Sequence, residues 1–322
     1  MKPMVYIAVP VPRKVEDYIG EYCNYRKWEG ENPISREELL KEIKDAEGIL
    51  LDSGTGGKSD EEFLAHGPKV KVISNVSVGY NNFDMDIMKK HNIIGTHTPY
   101  VLDDSVADLA VGLMISAGRR IAELNNYVKE GNWNNAIGKE LFGEDIHHKT
   151  VGIIGMGRIG RVIAKRCKLG FDMDIVYTSR SRKVDIEEVY NAKFYSLEEL
   201  LKVSDYVIII TPLTDKTYHL LDYEEFKMMK KSAIFINISR GQTVNEEGLI
   251  RALKEKLIKG AALDVFEKEP VDKNNPLLSM DNVVVVPHIG SATQTTRYNM
   301  AMTAAEDLVK AVTGKIPKFI VK

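Results

Sequence analysis

Cysteine is nearly absent from this chain: only Cys23 and Cys167 occur. Two cysteines at that separation make neither a disulfide framework nor a thiolate metal site, so both read as packing residues of a protein from a reducing compartment. Also missing is any run of about 18 apolar residues, the length that a membrane-spanning helix needs. The opening MKPMVYIAVPVPRKVEDYIG lacks the basic segment, apolar run and small-residue cleavage site of a secretory signal. A cytoplasmic protein without a membrane partner is expected. Excess charge is missing as well. Lys and Arg number 44 against 46 Asp and Glu, a net charge of -2, which gives no reason to expect a nucleic acid or an anionic membrane as partner. No internal repeat or low-complexity segment is found.

What the 322 residues do supply is 44% apolar and 28% charged side chains, a globular composition with room for two domains. Over residues 4–96, β-like segments at 4–9, 48–51, 70–74 and 93–96 alternate with helix-like ones at 36–46 and 83–91. Such alternation predicts parallel βαβ units and a first α/β domain. Thr98-Pro99 punctuates its end. A single long helix is expected over 106–129, capped by Asp103 or Ser105. The polar segment 132–148, which carries Trp133, Leu141 and Phe142, reads as an exposed arm for a homodimer contact. From residue 149 onward, strands at 151–155, 174–179, 206–210, 233–238, 261–265 and 283–286 alternate with helices at 196–202, 223–230 and 246–257. A final helix, 293–312, returns to the first domain. The expectation is therefore residues 1–99 plus 290–322 in one domain and 100–289 in the other, each a doubly wound parallel sheet with ligands at the carboxyl ends of its strands.

Three loops carry the chemistry of binding. In VGIIGMGRIG, residues 151–160, a strand runs through Gly155, Gly157 and Gly160 into a helix. The first glycine turns the chain, the second admits a pyrophosphate to the backbone amides, and the third lets helix and strand pack closely. Glycine turns also join strands to helices in sheets that bind nothing. In DSGTGGKS, residues 52–59, the resemblance to a phosphate loop ends at Asp52, which stands where the first glycine is needed. That loop is read as a strand-to-helix connection with Ser59 or Asp60 as the cap. In NVSVGYNNFD, residues 75–84, free N–H groups of Val78 and Gly79 could hold a carboxylate. An Asn/Gly turn that merely caps a helix fits the same spacing.

The second strand of the later domain ends in YTSRSR, residues 177–182, without the acidic residue that binds a ribose 2′-hydroxyl in NAD sites. Ser179 removes repulsion there, and Arg180 and Arg182 can pair with a 2′-phosphate. NADPH is the expected cofactor and NADH is possible, unless both arginines are simply solvated. Three further strand ends deliver Arg240 in INISRG, Glu269 in LDVFEKEP and His288 in VVVVPHIGS. Arg240 can fork onto a 2-keto acid and polarise its carbonyl. His288 can protonate the developing alkoxide, and Glu269 can orient the imidazole and favour its protonated form. Taken singly, they could equally be a structural ion pair, a surface charge and a helix cap.

Together with TPYVLDDSVADLA, PLTDKTYHLL and PHIGSAT, these stretches resemble the D-isomer-specific 2-hydroxyacid dehydrogenase family, in family order over essentially the whole chain. Within it, they are closest to the bacterial 2-ketogluconate or glyoxylate/hydroxypyruvate reductases. The resemblance implies an α/β fold with a flavodoxin-like substrate domain and a Rossmann dinucleotide-binding domain flanking a cleft. It also implies that Arg240, Glu269 and His288 are the catalytic triad and that Val78 and Gly79, with Arg240 and His288, hold the substrate. Gly155, Gly157, Arg158, Ile159, Gly160, Ser179, Arg180, Arg182, Thr211, Pro212, Ile238, Ser239 and Asp264 would line the cofactor, with Asp264 at the nicotinamide carboxamide. Val106 stands where many members place a cofactor-contacting threonine, and Asn81 where aspartate is usual. The function implied is NAD(P)H-dependent reduction of 2-ketogluconate, hydroxypyruvate or glyoxylate to the D-2-hydroxy acid, without a metal. A dinucleotide-sensing, corepressor-like binding protein of the same fold is the alternative.

Overall fold

A computed structural model describes residues 2–321. Met1 and Lys322, which the expected first domain includes, lie outside the described residues. The chain divides into two compact units, one running to Leu102 and resuming at Ala292, the other spanning Asp103–Ser291. The boundaries expected at 99/100 and 289/290 thus fall two to three residues later.

In the first unit, short apolar runs form β1 (Met4–Ile7), β3 (Gly48–Leu51), β4 (Val72–Asn75) and β5 (Ile94–Thr96), with the polar β2 (Asn24–Lys27) at one edge. The sheet is parallel throughout, in the order β2-β1-β3-β4-β5. Helices α1 (Arg13–Tyr22), α2 (Arg36–Glu42), α3 (Glu61–His66) and α4 (Met85–Lys90) are the crossovers, which parallel strands require. Leu39, Ile49, Phe63 and Ile73 are buried in its core.

The second unit opens with α5 (Asp103–Gly118) and α6 (Ile121–Lys129). The long helix expected over 106–129 is therefore two helices. Arg120 between them adopts φ 55, and its guanidinium holds Glu123 and the carbonyls of Glu140 and Phe142. Apolar spacing continues through the break in Ile121 and Val128, but both are exposed and α6 buries no residue; a contact distant in sequence decides where the backbone turns.

Strands β6 (Thr150–Ile154), β7 (Asp174–Thr178), β8 (Lys193–Phe194), β9 (Tyr206–Ile209), β10 (Ile234–Asn237), β11 (Gly260–Leu263) and β12 (Val283–Val285) follow. They form a parallel sheet in the order β12-β11-β10-β9-β6-β7-β8. The order reverses between β6 and β9, so that β7 lies to one side and β10 to the other. Ligands bind parallel sheets at such a switch point, outside the carboxyl ends of the strands. Helices α7 (Arg158–Phe171), α8 (Val184–Tyr190), α9 (Leu197–Val203), α10 (Tyr223–Met228) and α11 (Glu246–Lys254) cover the faces. Phe226 and Phe235 meet edge to face at 5.3 Å in the core.

The last helix, α12 (Gln294–Val312), belongs to the first unit, where the carbonyl of Ala304 accepts from Ser74 Oγ at 2.9 Å. Both cysteines are free and buried, and burial pushes the Cys167 thiol up to about 12. Among the described residues no helix is long and apolar enough to cross a membrane, and no group of His, Cys, Asp or Glu could hold a metal.

Candidate active site

The glycine loop follows β6 and packs against the end of β9, at the switch point. Gly155 has φ +111, and a Cβ there would lie 2.5 Å from the carbonyl oxygen of Ile210. A Cβ on Gly160 would meet the carbonyl of Gly155 at 2.2 Å, so this glycine closes α7 onto the turn. Around Gly157 nothing lies within 4 Å of a Cβ, which leaves the backbone at the N-terminus of α7 open. Beside the loop, at the end of β9, Thr211 has a buried hydroxyl without a hydrogen-bond partner among the described residues. Open amides at the positive end of a helix next to an unsatisfied hydroxyl fit a dinucleotide.

The remaining cofactor candidates sit at the same edge of the sheet. Ser179 follows β7, where its hydroxyl donates to the carbonyl of Ser181 at 2.7 Å. Of the two arginines expected beside it, Arg182 is committed to Glu187, with Nη2 2.7 Å from Oε2. Arg180 is exposed and has no hydrogen bond or ion pair among the described residues. Arg158, at the start of α7, donates from Nε to Asp103 at 3.1 Å. Ile159 is half-buried, and Pro212 is exposed, its carbonyl accepting from Thr217. Ile238 and Ser239 are buried after β10, and Ser239 Oγ donates to Asn237 at 3.1 Å. Val106 on α5 is buried beside Gly290.

Arg240, Glu269 and His288 come from the loops after β10, β11 and β12, three adjacent strands. His288 Nδ1 lies 2.7 Å from Glu269 Oε2, and the other oxygen of Glu269 accepts from the Phe266 amide at 3.0 Å. Burial works against charge on Glu269. The hydrogen bonds from His288 and Phe266, with the charges of His288 and Arg240, outweigh that and hold its carboxyl below the usual range. An ionised carboxylate only accepts, so the proton on this side of the imidazole is on Nδ1 and Nε2 is the ring atom left for a substrate. Arg240 donates from Nη1 to the carbonyl of Ser239 at 2.6 Å. Burial pulls its guanidinium below the ordinary arginine range, opposed by the carboxylates of Glu269 and Asp264, and it remains a cation.

Asp264 is only 2% exposed. Its two oxygens accept from the amides of Ile289, at 2.6 Å, and Gly290, at 3.0 Å, while its carbonyl accepts from the His288 amide at 2.9 Å. Burial pushes its carboxyl up, and the hydrogen bond from the Ile289 amide is the largest opposing effect. It clamps the turn in which His288 sits at φ 52. The spacing in LDVFEKEP gives no sign of this clamp.

In the first unit, the carbonyls of Val78 and Gly79 are turned to His97 Nδ1, at 2.9 Å, and to Ser77 Oγ, at 2.7 Å. Their amides have no acceptor among the described residues. The DSGTGGKS loop is a strand-to-helix connection: Arg36 takes the carbonyls of Gly56 and Lys58, and Asp60 caps α3 by accepting from the Phe63 amide.

Residues 111–290 match the family model described as D-isomer specific 2-hydroxyacid dehydrogenase, NAD binding domain. A glyoxylate/hydroxypyruvate reductase B of Serratia proteamaculans is 43% identical over 316 residues, 98% of this chain and 96% of that one. The chain belongs to the D-isomer specific 2-hydroxyacid dehydrogenase family.

A solved structure from Thermus thermophilus superposes with a TM-score of 0.92 at 36% identity, covering 99% of this chain and all of that one. The NADPH-dependent glyoxylate/hydroxypyruvate reductase of Sinorhizobium meliloti, solved with NADP and malonate, gives 0.87 at 27% identity, over all of this chain and 97% of that one. This family member is accordingly an oxidoreductase acting between 2-keto and 2-hydroxy acids with a nicotinamide dinucleotide. The corepressor-like alternative gains no support from these likenesses.

Proposed function

We propose that the protein reduces a small 2-keto acid, of the glyoxylate, hydroxypyruvate or 2-ketogluconate kind, to its D-2-hydroxy acid, with NADPH preferred to NADH. The observation that carries this reading is the 2.7 Å contact between His288 Nδ1 and Glu269 in the unit that also holds the buried Arg240 cation and the glycine loop. The reductases among its relatives support the substrate class.

Bound NADPH supplies a hydride to the keto carbon. Arg240 forks onto the acid and draws electron density towards the carbonyl oxygen. His288 gives its Nε2 proton to that oxygen as the C–O⁻ forms, and solvent returns a proton to the ring. Glu269 holds the imidazole by Nδ1 and stabilises the imidazolium before transfer. In the first unit, the amides of Val78 and Gly79 would suit a carboxylate. Gly155, Gly157, Arg158, Ile159 and Gly160 would hold the pyrophosphate, and Val106, Thr211, Pro212, Ile238 and Ser239 would line the rest of the dinucleotide. Asp264, which clamps the His288 turn, would also meet the nicotinamide carboxamide. Ser179 would leave room for a 2′-phosphate, and Arg180, with Arg182, would pair with it.

The free, buried thiols suit a cytoplasmic protein. A homodimer is supported by the exposed apolar side chains Ile121, Val128, Trp133, Ile137 and Phe142 along one segment. Steady-state comparison of the three acids with both cofactors tests the reaction. A kcat/KM ratio for NADPH over NADH below one overturns the cofactor preference. Tight cofactor binding without oxidation of NADPH by any of the acids overturns the reaction.

A further inference from the structure

A second histidine–carboxylate pair lies in the loops that carry the first. His219 Nε2 is 2.7 Å from Glu267 Oε1, two residues before Glu269. The backbone amide of His219 donates at 2.9 Å to the carbonyl of Gln242, two residues after Arg240. Gln242 closes the triangle by donating from Nε2 to the carbonyl of Glu267 at 2.6 Å. Three loops following the adjacent strands β9, β10 and β11 are thus tied to one another around one imidazole.

The fit between the second and third loops leaves no slack. A Cβ on Gly241 would lie 1.8 Å from the Phe266 carbonyl oxygen, so backbone rests on backbone there. On the other side of the triangle, the Glu267 amide donates to Glu246 at 3.1 Å, at the start of α11. His219 itself sits at φ 47, a region that non-glycine residues occupy when surrounding contacts over-determine it. Tyr218 stacks on its ring at 4.0 Å with 16° between planes, which fixes the imidazole plane towards Glu267.

We propose that His219 and Glu267 form a positioning pair that sets the Arg240 turn and the Glu269 loop in register for the reaction. Neither residue of the pair touches the reacting atoms. The inference rests on the reduction proposed above, because it assigns the pair an effect on the groups that perform it. Its physical ground is that a displacement of about 1 Å at a catalytic group can lower turnover by as much as 10². One broken tie in a triangle of three leaves the other two, so a smaller loss is expected here.

The test uses the whole chain. His219→Ala should lower kcat/KM for the best keto acid about tenfold, with NADPH affinity in the absence of acid unchanged. His219→Gln, whose amide also donates, should recover most of the loss. Glu267→Ala reads the same contact from its other end, should His219→Ala fail to fold. The double variant should be no worse than the poorer single one, since both remove one interaction. Unchanged kinetics in His219→Ala overturn the proposal, as do additive losses in the double variant. A loss that His219→Gln does not recover, or one matched by falls in cofactor affinity and Tm, marks a merely structural residue and also overturns it. Inactivity of the unsubstituted enzyme towards every keto acid strikes the reaction itself, and the proposal falls with it.

Discussion

His288 Nδ1 meets Glu269 Oε2 at 2.7 Å, while the backbone amide of the same histidine donates to the carbonyl of Asp264 at 2.9 Å. The imidazole is therefore fixed at both its ring and its main chain, and one ring nitrogen is left to do chemistry. A group so held suits proton transfer, which depends on reach before it depends on acidity.

His288→Ala should lower kcat by roughly 10² to 10⁴, the contribution typical of a positioned general acid. NADPH affinity should be nearly intact, because the glycine loop and Arg180 are untouched. Single-turnover kinetics with titrated cofactor separate the two quantities. Near-normal turnover in this variant would remove His288 from the mechanism.

Glu269→Gln keeps the shape and removes the charge. The amide can turn either end to Nδ1, so the ring loses its fixed orientation, and kcat should fall about tenfold or more. Stability reports on the same contact. Burial opposes the charge, but the bonds from His288 and Phe266 hold the folded-state value below the ordinary one. For such a group the stabilisation is present above the unfolded value and is lost as pH falls through the folded one. The Tm gap between the unsubstituted protein and Glu269→Gln should therefore narrow from about pH 7 to about pH 4. A gap that widens on acidification contradicts the assignment.

Much of the second unit was legible because backbone geometry and residue type coincide there. The glycine loop needs what only glycine supplies at Gly155, and buried parallel strands such as β9 and β10 advertise themselves as apolar runs. Strands β2 and β8 did not, since Asn24–Lys27 and Lys193–Phe194 lie at sheet edges and carry few buried side chains. Arg120 hid for another reason. Its left-handed turn is stabilised by carbonyls about 20 residues away, which no local pattern encodes. The same holds in the site. Arg240, Glu269 and His288 stood out as polar residues after apolar runs, whereas the Asp264 clamp and the His219–Glu267 pair exist only once separate loops are brought together. For the 2′-phosphate, the sequence offered Arg180 and Arg182 alike, and a single ion pair distinguishes them.

Arg180 is the cation left facing solvent at the end of β7, because Glu187 has taken Arg182. Hydrogen bonds to a charged group contribute about 1.5 to 3 kcal/mol, roughly ten- to a hundredfold. Arg180→Ala should cut the NADPH-over-NADH ratio of kcat/KM by at least the lower figure, chiefly through KM for NADPH. Arg182→Ala should have the smaller effect. If the two variants reverse that order, the 2′-phosphate is read by Arg182 and the Glu187 pair must open on binding.

Thr211 offers the most direct check on the cofactor site, because its hydroxyl is buried without a partner among the described residues. An unsatisfied buried hydroxyl destabilises a fold, and replacing it with an apolar group of the same shape is close to neutral or stabilising. Valine has that shape. Thr211→Val should therefore leave the Tm without cofactor unchanged or higher. If the hydroxyl instead finds its partner on the dinucleotide, the variant forfeits one hydrogen bond of about 0.5 to 1.5 kcal/mol, and the NADPH Kd should rise roughly two- to tenfold. The rise in Tm on adding saturating NADPH should shrink in step, since ligand stabilisation follows the ratio of free ligand to Kd. Opposite signs in the two measurements separate a ligand-directed hydroxyl from one that merely packs. A lower Tm with unchanged Kd would show that Thr211 serves the fold and that the dinucleotide lies elsewhere along the edge.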